Sequence, residues 1–265
     1  MNYTTYLFDF DYTLADSSRG IVTCFRNVLT RHGYTEVTDE AIKRTIGKTL
    51  EDSFSLLTGV TDATLLSTFK QEYTKEADVH MTKNTVLFLE TKSVLIALKD
   101  GGARLGIIST KERHRIEDLL SKHFPSDFID IIVGGEDVKT HKPSPEGLLF
   151  ALKRLHATKE ETLYIGDSTV DAETAQAAGV AFAGVTHGTT PAEELAKYPH
   201  LRIMSTLEEL LEEPTTEHCE ADSPTPNKSE TPNAHRRSNA RIFLYCLLVV
   251  ILVATIIIGV VTAYR

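Results

Sequence analysis

Short apolar runs alternate with amphipathic segments along the second half of the chain. The runs RLGII, IDIIV, TLYIG and AFAGV, which start at Arg104, Ile129, Thr162 and Ala181, predict buried β-strands. Between them, residues 144–156 place leucines at helical spacing after a Ser-Pro pair that serves as cap and first turn. Strands and helices in this order predict a parallel sheet covered on both faces, a Rossmann-like doubly wound α/β fold.

The N-terminal third has a different pattern. The apolar run from Tyr6 predicts a first buried strand, and an apolar helical stripe then ends at Gly33. No convincing strand follows before position 86. We therefore predict a helical domain at 17–85, inserted into an α/β core formed by 1–16 and 86–213.

The composition changes again near Pro214. Residues 214–241 are rich in Pro, Thr, Ser, Asn and charge, which predicts a disordered linker. Residues 242–264 contain no charged side chain, and as a helix they would span about 34 Å, enough for a bilayer core. A buried core helix is the alternative for this stretch. Basic residues precede it, so we predict a single-pass C-terminal membrane anchor with the large N-terminal part of the chain in the cytoplasm.

Charge and cysteine content exclude some classes of function. The chain has 265 residues, of which 42% are apolar and 25% charged, as in ordinary globular proteins. Its net charge of −9, with no basic block in residues 1–213, argues against a nucleic-acid partner. Its 3 cysteines are isolated, so we expect no disulfide partner and no zinc or redox pair.

Polar residues follow the predicted strands or precede a helix in four places. They are Asp9, Asp11 and Thr13; Ser109 and Thr110; Lys142; and Asp167 and Asp171. Ligands of open α/β sheets bind at the carboxyl ends of the strands, so these groups should meet at one rim. Clustered carboxylates repel unless a cation lies between them, and Mg²⁺ is usually held by a few oxygens together with a substrate phosphate. The set therefore predicts phosphoryl transfer to an aspartate.

These motifs resemble those of the haloacid dehalogenase (HAD) superfamily. The motif D-x-D-x-T reads DFDYT from Asp9, the second motif is Ser109 of IIST, the third is Lys142 of HKPSPEG, and G-D-x-x-x-D reads GDSTVD from Gly166. They occur in the family's order. The resemblance covers about residues 3–210 and implies the branch with a helical, C1-type cap after the first motif.

The resemblance implies a role for each residue. Asp9 would be the nucleophile that becomes an aspartyl phosphate, Asp11 the general acid and base, and Lys142 the partner of Asp9 and of the transferring group. Thr13 would orient the loop. Ser109 and Thr110, which end the segment with the second motif, would bind phosphate through their hydroxyls. For Mg²⁺ the implied ligands are Asp9, the backbone carbonyl of Asp11, Asp167 and Asp171, the last in or next to the coordination shell.

Each residue taken alone has an ordinary structural explanation. Thr13 could cap a turn, Ser109 could be a strand-end hydroxyl, and Lys142 could be a solvated turn lysine. Asp171 lies where the dipole of a helix favours an acidic residue. Together they fit one site better than separate coincidences.

Departures from other branches of the family narrow the reaction. A dehalogenase would lack Asp11, so its presence favours a phosphatase. Sugar phosphomutases tend to carry an aliphatic residue in place of Thr13 and a histidine near Ile21, and neither feature is present. A phosphonate-cleaving relative would need a cap lysine such as Lys48, but it would also have a small residue in place of Asp11.

The substrate depends mostly on the cap. Residues 44–54, RTIGKTLEDSF, resemble the cap segment of phosphoglycolate phosphatases and of similar bacterial pyrophosphatases. Arg44 and Lys48 could bind an anionic substrate or be solvated helix charges. We predict a Mg²⁺-dependent phosphatase for a small, phosphoglycolate-like metabolite. The alternatives are an inorganic pyrophosphatase, a nucleotide phosphatase, or a membrane-tethered scaffold without catalysis.

Overall fold

The computed structural model describes residues 3–212 of the chain. The strands of this part are β1 Thr5–Phe8, β2 Ala15–Asp16, β3 Val86–Leu87, β4 Arg104–Ile108, β5 Ile131–Val133, β6 Thr162–Gly166, β7 Ala181–Val185 and β8 Arg202–Met204. The α-helices are α1 Ser18–Arg31, α2 Asp39–Lys43, α3 Leu50–Thr58, α4 Ala63–His80, α5 Thr91–Asp100, α6 Arg113–Leu120, α7 Glu146–Leu155, α8 Thr169–Ala178 and α9 Ala192–Leu195. Short 3₁₀ turns occur at Thr82–Asn84, Gly135–Asp137 and Leu207–Leu211.

Six strands form one sheet in the order β5-β4-β1-β6-β7-β8, with every adjacent pair parallel. Leu7 and Phe8 are both fully buried, one on each face of the sheet. The face of Phe8 packs on α5 and α6, and that of Leu7 packs on α7 and α8. Each such side chain stabilises the fold by roughly 1.5–3 kcal/mol. The predicted doubly wound α/β sheet is confirmed.

Helices α1 to α4 pack around an apolar core of their own. Its centre is aromatic: the Phe25 ring lies 4.6 Å from that of Phe54 and 4.8 Å from that of Tyr73, and Phe54 lies 5.2 Å from Phe69. We call α1 to α4 the helical module. Its cluster of buried side chains is separate from the two that flank the sheet, so the module has its own source of stability.

The helical module is joined to the sheet by two short strands. β2 leads out and β3 returns, and the two pair antiparallel, with Ala15 opposite Leu87 and Asp16 opposite Val86. The N–H of Phe88 also donates to the carbonyl of Leu14 (3.1 Å). The sequence pattern does not predict these strands, because two residues are too few to show a period.

The helix predicted at residues 144–156 is slightly shorter than expected. α7 begins at Glu146 with Pro145 as its N-cap, and it ends at Leu155, where the next residue, His156, adopts a left-handed conformation with φ 51°. The hydroxyl of Ser144 accepts the N–H of Glu146 (3.3 Å), so it bonds two residues ahead instead of capping the first turn.

The membrane prediction requires a correction. Within residues 3–212 no helix is both long and apolar enough to cross a bilayer. The longest, α4, carries charged side chains along its length, among them Lys70, Glu72 and Lys75. The predicted linker at 214–241 and the predicted membrane helix at 242–264 lie outside the described residues. The predicted single-pass membrane localisation, with a bilayer as partner, is corrected on this finding and withdrawn.

Candidate active site

The D-x-D motif lies in the loop that follows β1. The strand ends at Phe8, and the side chains of Asp9 and Asp11 are only 3% and 10% exposed. Asp9 Oδ1 accepts a 2.8 Å hydrogen bond from Lys142 Nζ, whereas Asp11 Oδ1 lies 3.1 Å from Lys111 Nζ. Each carboxylate therefore has its own lysine, which reduces the repulsion between them.

The backbone of this loop turns sharply. The carbonyl of Phe10 accepts the N–H groups of Thr13, Leu14 and Ala15, and Tyr12 adopts φ 61°, the left-handed region that non-glycine residues rarely occupy. Thr13 is fully buried, and among residues 3–212 its hydroxyl has no hydrogen-bond partner. Non-glycine residues in this region are strained, and such strain clusters at functional sites.

Lys142 is held at the centre of the site. Its side chain is 5% exposed, and Nζ bonds Asp171 Oδ1 (2.6 Å) as well as Asp9, with the Tyr164 hydroxyl at 3.3 Å. Burial would lower the pKa of Lys142, but the carboxylates of Asp171 and Asp9 outweigh it and raise that pKa well above its ordinary value. The carboxylate of Glu146 accepts two backbone N–H bonds (2.9 Å each) from the segment just before Lys142, which fixes the start of α7 against it. Lys142 is therefore a permanent positive charge in a fixed position.

Asp171 uses both of its oxygens within the protein. Oδ1 accepts from Lys142 and from the hydroxyl of Tyr164 (2.8 Å), and Oδ2 accepts from the hydroxyl (2.6 Å) and N–H (3.2 Å) of Ser168. Ser168 is the N-cap of α8, so a capping box at the helix start fixes this carboxylate. Asp171 therefore positions Lys142 and has little free capacity to bind a metal ion directly.

Three buried carboxylates, of Asp9, Asp167 and Asp171, each place an oxygen within 4.8 Å of the others. Burial raises the pKa of Asp9 to about 7, although Lys142 partly opposes this. Burial also raises the pKa of Asp167 well above its ordinary value, and the charges of Asp171 and Asp9 add to the effect. A cation between Asp9 and Asp167 would relieve both penalties, so the donor set fits a metal ion that prefers oxygen ligands.

The residues after β4 lie on the other side of this centre. Ser109 is buried, and its hydroxyl accepts the N–H of Lys111 (3.3 Å). The hydroxyl of Thr110 lies 3.5 Å from the carbonyl of Gly47, which belongs to the turn between α2 and α3. Thr110 therefore links the sheet to the helical module.

A cavity of about 230 Å³ lies between the helical module and the sheet, with Asp11 in its wall. The wall has an apolar part and a charged part. The first includes Ile21, Phe25, Ala77 and Met81; the second includes Lys48, Lys70, Lys111, Arg115, Glu51 and Glu112. Of the two cations predicted to meet substrate, Lys48 lines this cavity. Arg44 is exposed and does not.

Three residues near the site were missed by the sequence analysis. Lys111 follows the Ser-Thr pair directly, and that adjacency was an available signal. Tyr164 looked like one more apolar residue of a buried strand. Arg115 is buried, and it bonds Asp78 of α4 (2.8 Å) and Glu112 (2.9 Å). Its one signal was a charge at an otherwise apolar position of α6.

Comparisons with known proteins agree with this geometry. The profile of the haloacid dehalogenase-like hydrolase family matches residues 6–185. The pyrophosphatase PpaX of Bacillus pumilus is 30% identical over 208 residues, which is 78% of this chain and 94% of that protein. The phosphoglycolate phosphatase of Photorhabdus laumondii is 29% identical over 193 residues, 71% of this chain and 82% of that protein. The crystal structure of a haloacid dehalogenase-like hydrolase from Bacteroides fragilis is 66% identical, covers 79% of this chain and all of its own, and superposes with a TM-score of 0.78. The chain therefore belongs to the haloacid dehalogenase-like hydrolase family.

Proposed function

We propose that the protein is a Mg²⁺-dependent phosphatase that hydrolyses a small phosphorylated metabolite, phosphoglycolate-like, through an aspartyl phosphate. One observation carries the proposal. The buried carboxylate of Asp9 is held by Lys142 beside Asp167, while Asp11 lies next to it with a separate lysine and borders a cavity. A nucleophile, a fixed positive charge, a carboxylate pair for a cation and an acid are the parts that phosphoryl transfer needs.

In the first step Asp9 attacks phosphorus and the ester bond breaks. Lys142 neutralises charge on the transferring group, and the hydroxyls of Ser109 and Thr110 hold its oxygens. Asp9 and Asp167 would hold Mg²⁺, which would supply further electrostatic stabilisation of that charge.

Asp11 acts on the leaving group. It protonates the leaving oxygen in the first step, and in the second it takes a proton from the water that hydrolyses the aspartyl phosphate. Because Asp11 lies in the cavity wall, the leaving group would occupy the cavity. Lys111, whose Nζ is 3.1 Å from Asp11, would then bind an anionic group of the leaving group. Lys48 adds a second positive charge to the cavity wall. This supports an acidic leaving group, such as glycolate or, if the substrate is pyrophosphate, a second phosphate.

The helical module would act as the cap. Arg115 of α6 bonds the side chain of Asp78 (2.8 Å) and approaches the carbonyl of Thr74 (3.4 Å), both on α4. These contacts connect the α/β core to the helical module next to the cavity. Closure over the site controls when water reaches the phosphoenzyme. The connection through β2 and β3 provides the hinge.

The test is a substrate screen with Mg²⁺. Phosphoglycolate, pyrophosphate, a nucleoside monophosphate and para-nitrophenyl phosphate should be compared by kcat/KM, with Asp9→Asn as the inactive reference. Phosphoglycolate should rank first, and beryllofluoride should inhibit as a mimic of the aspartyl phosphate. A first rank for pyrophosphate or the nucleotide would select the corresponding alternative. No turnover of any of them by folded protein would refute catalysis and favour a binding scaffold.

A further inference from the structure

His187 lies outside the site described above, in the loop after β7. Its Nε2 is 3.0 Å from Oε1 of Glu90, and its Nδ1 is 3.3 Å from the carbonyl oxygen of Thr13. The two side chains are 9% and 15% exposed, and the Phe88 ring packs on the imidazole at 4.2 Å between centroids. The imidazole is therefore held on three sides.

Both polar partners of this imidazole are hydrogen-bond acceptors. The carboxylate of Glu90 faces Nε2 of the ring, and the carbonyl of Thr13 faces Nδ1. Glu90 is fixed in turn, because its Oε1 also accepts from the hydroxyl of Thr206 (3.2 Å). The contact to Thr13 is therefore made by a group that cannot easily shift.

The residue after His187, Gly188, lies against one of the three clustered carboxylates, that of Asp167. A Cβ placed on Gly188 would overlap Oδ2 of Asp167 and lie 3.2 Å from the Cβ of Tyr12. The backbone of Gly188 therefore packs directly against the Asp167 carboxylate, an approach that requires glycine.

These contacts join three segments. Glu90 follows β3, the strand that returns from the helical module; Thr13 belongs to the loop of the nucleophile; and Gly188 supports Asp167. We propose that the His187–Glu90 pair is a positioning device that fixes the nucleophile loop and Asp167 relative to each other and to the hinge. It touches neither substrate nor metal. The inference rests on the proposed function only in taking Asp167 as a cation ligand.

The experiment measures Mg²⁺ binding without substrate. The midpoint of the Mg²⁺-induced rise in melting temperature is determined for the wild type, His187→Ala and Glu90→Gln. His187→Ala should raise this midpoint about tenfold, the effect expected when a group that orients metal ligands is lost. Glu90→Gln should raise it less. On para-nitrophenyl phosphate kcat should fall, with KM within about twofold of wild type.

The matched control is His200→Ala, since this exposed histidine also contacts a backbone carbonyl (2.7 Å) but lies away from the site. Midpoints of His187→Ala and Glu90→Gln that match this control would overturn the inference alone. Glu90→Gln decides the matter if His187→Ala fails to fold. A wild type whose melting temperature does not rise with Mg²⁺ would overturn the inference together with the metal part of the proposed function. A wild type that shows this rise but turns over no substrate would refute the proposed activity, and the midpoints would still test the inference.

Discussion

Replacing Asp9 by asparagine should abolish hydrolysis and yet make the metal-free protein more stable. Burial raises the pKa of Asp9 to about 7 from an ordinary 3.8, with Lys142 opposing and Asp171 adding to the rise. Between these values the native state holds a proton that the unfolded chain has lost, so the stability of the wild type falls as pH rises through this window. An asparagine has no charge to bury, and its side-chain oxygen still accepts from Lys142.

The magnitude follows from the pKa. At about 1.36 kcal/mol per pH unit, a carboxyl with a native pKa of about 7 in place of 3.8 loses at most about 4 kcal/mol above pH 7. This pKa already includes the opposing attraction of Lys142, and relaxation of the buried site around the charge makes the figure an upper limit. We expect a net increase of about 2 kcal/mol in the free energy of unfolding, or a melting temperature higher by roughly 4–8 °C.

The assay is thermal and urea unfolding in a chelator at pH 4, 5.5, 7 and 8. The difference between Asp9→Asn and wild type should be smallest at pH 4, grow up to pH 7 and then level off. Asp118→Asn, which removes an exposed carboxylate from α6, is the control and should show no such trend. Mg²⁺ should then stabilise the wild type more than Asp9→Asn. A variant that is less stable than wild type at pH 8 without metal, or an advantage independent of pH, would refute the reasoning.

Three further substitutions, with Arg44→Met as a control, separate the proposed roles. Asp11→Asn should lower kcat by about 10²–10⁴ on an alkyl phosphate and by less on para-nitrophenyl phosphate, whose leaving group needs no proton; equal losses would count against Asp11 as the acid. Lys111→Met should raise KM for phosphoglycolate more than for para-nitrophenyl phosphate, while Arg44→Met should leave both KM values within about twofold, and the reverse order would place the anion site elsewhere. Tyr164→Phe, which removes one hydrogen bond to Asp171, should cost about 1 kcal/mol in urea unfolding and lower kcat; unchanged values in both measurements would show that this bond is dispensable.

The parts of the fold that sequence predicted are those with a strong local signal. Strands buried on both faces read as continuous apolar runs, which is why β4 to β7 were recognised. Their carboxyl ends share one rim in a parallel sheet, so the polar residues that follow them could be expected to meet. The structure brings Asp9, Lys142 and Asp167 together there.

The parts that were not predicted depend on geometry or distant contacts. Arg44 and Lys48 are four residues apart and would share a face if they lay on one helix. However, α2 ends at Lys43, and Gly47 at φ 93° turns the chain, so Lys48 alone reaches the cavity. Similarly, its place after the Ser-Thr pair indicates that Lys111 lies near the site, but its partner Asp11 is far away in sequence, and a local pattern does not reveal that pairing.

The central place of β1 in the sheet has a consequence for how the protein is made. This strand is made before the other five strands of the sheet, but its neighbours are β4, with Thr5 opposite Arg104, and β6, with Thr5 opposite Thr162. The bond between Asp9 and Lys142 spans 133 residues. The contacts within the helical module are more local, so the module can fold during synthesis while both edges of β1 are still unpaired. The chemical centre is therefore among the last parts to form, and a chain that stops before Thr162 would expose an unpaired apolar strand edge, which favours aggregation, and would lack an assembled site.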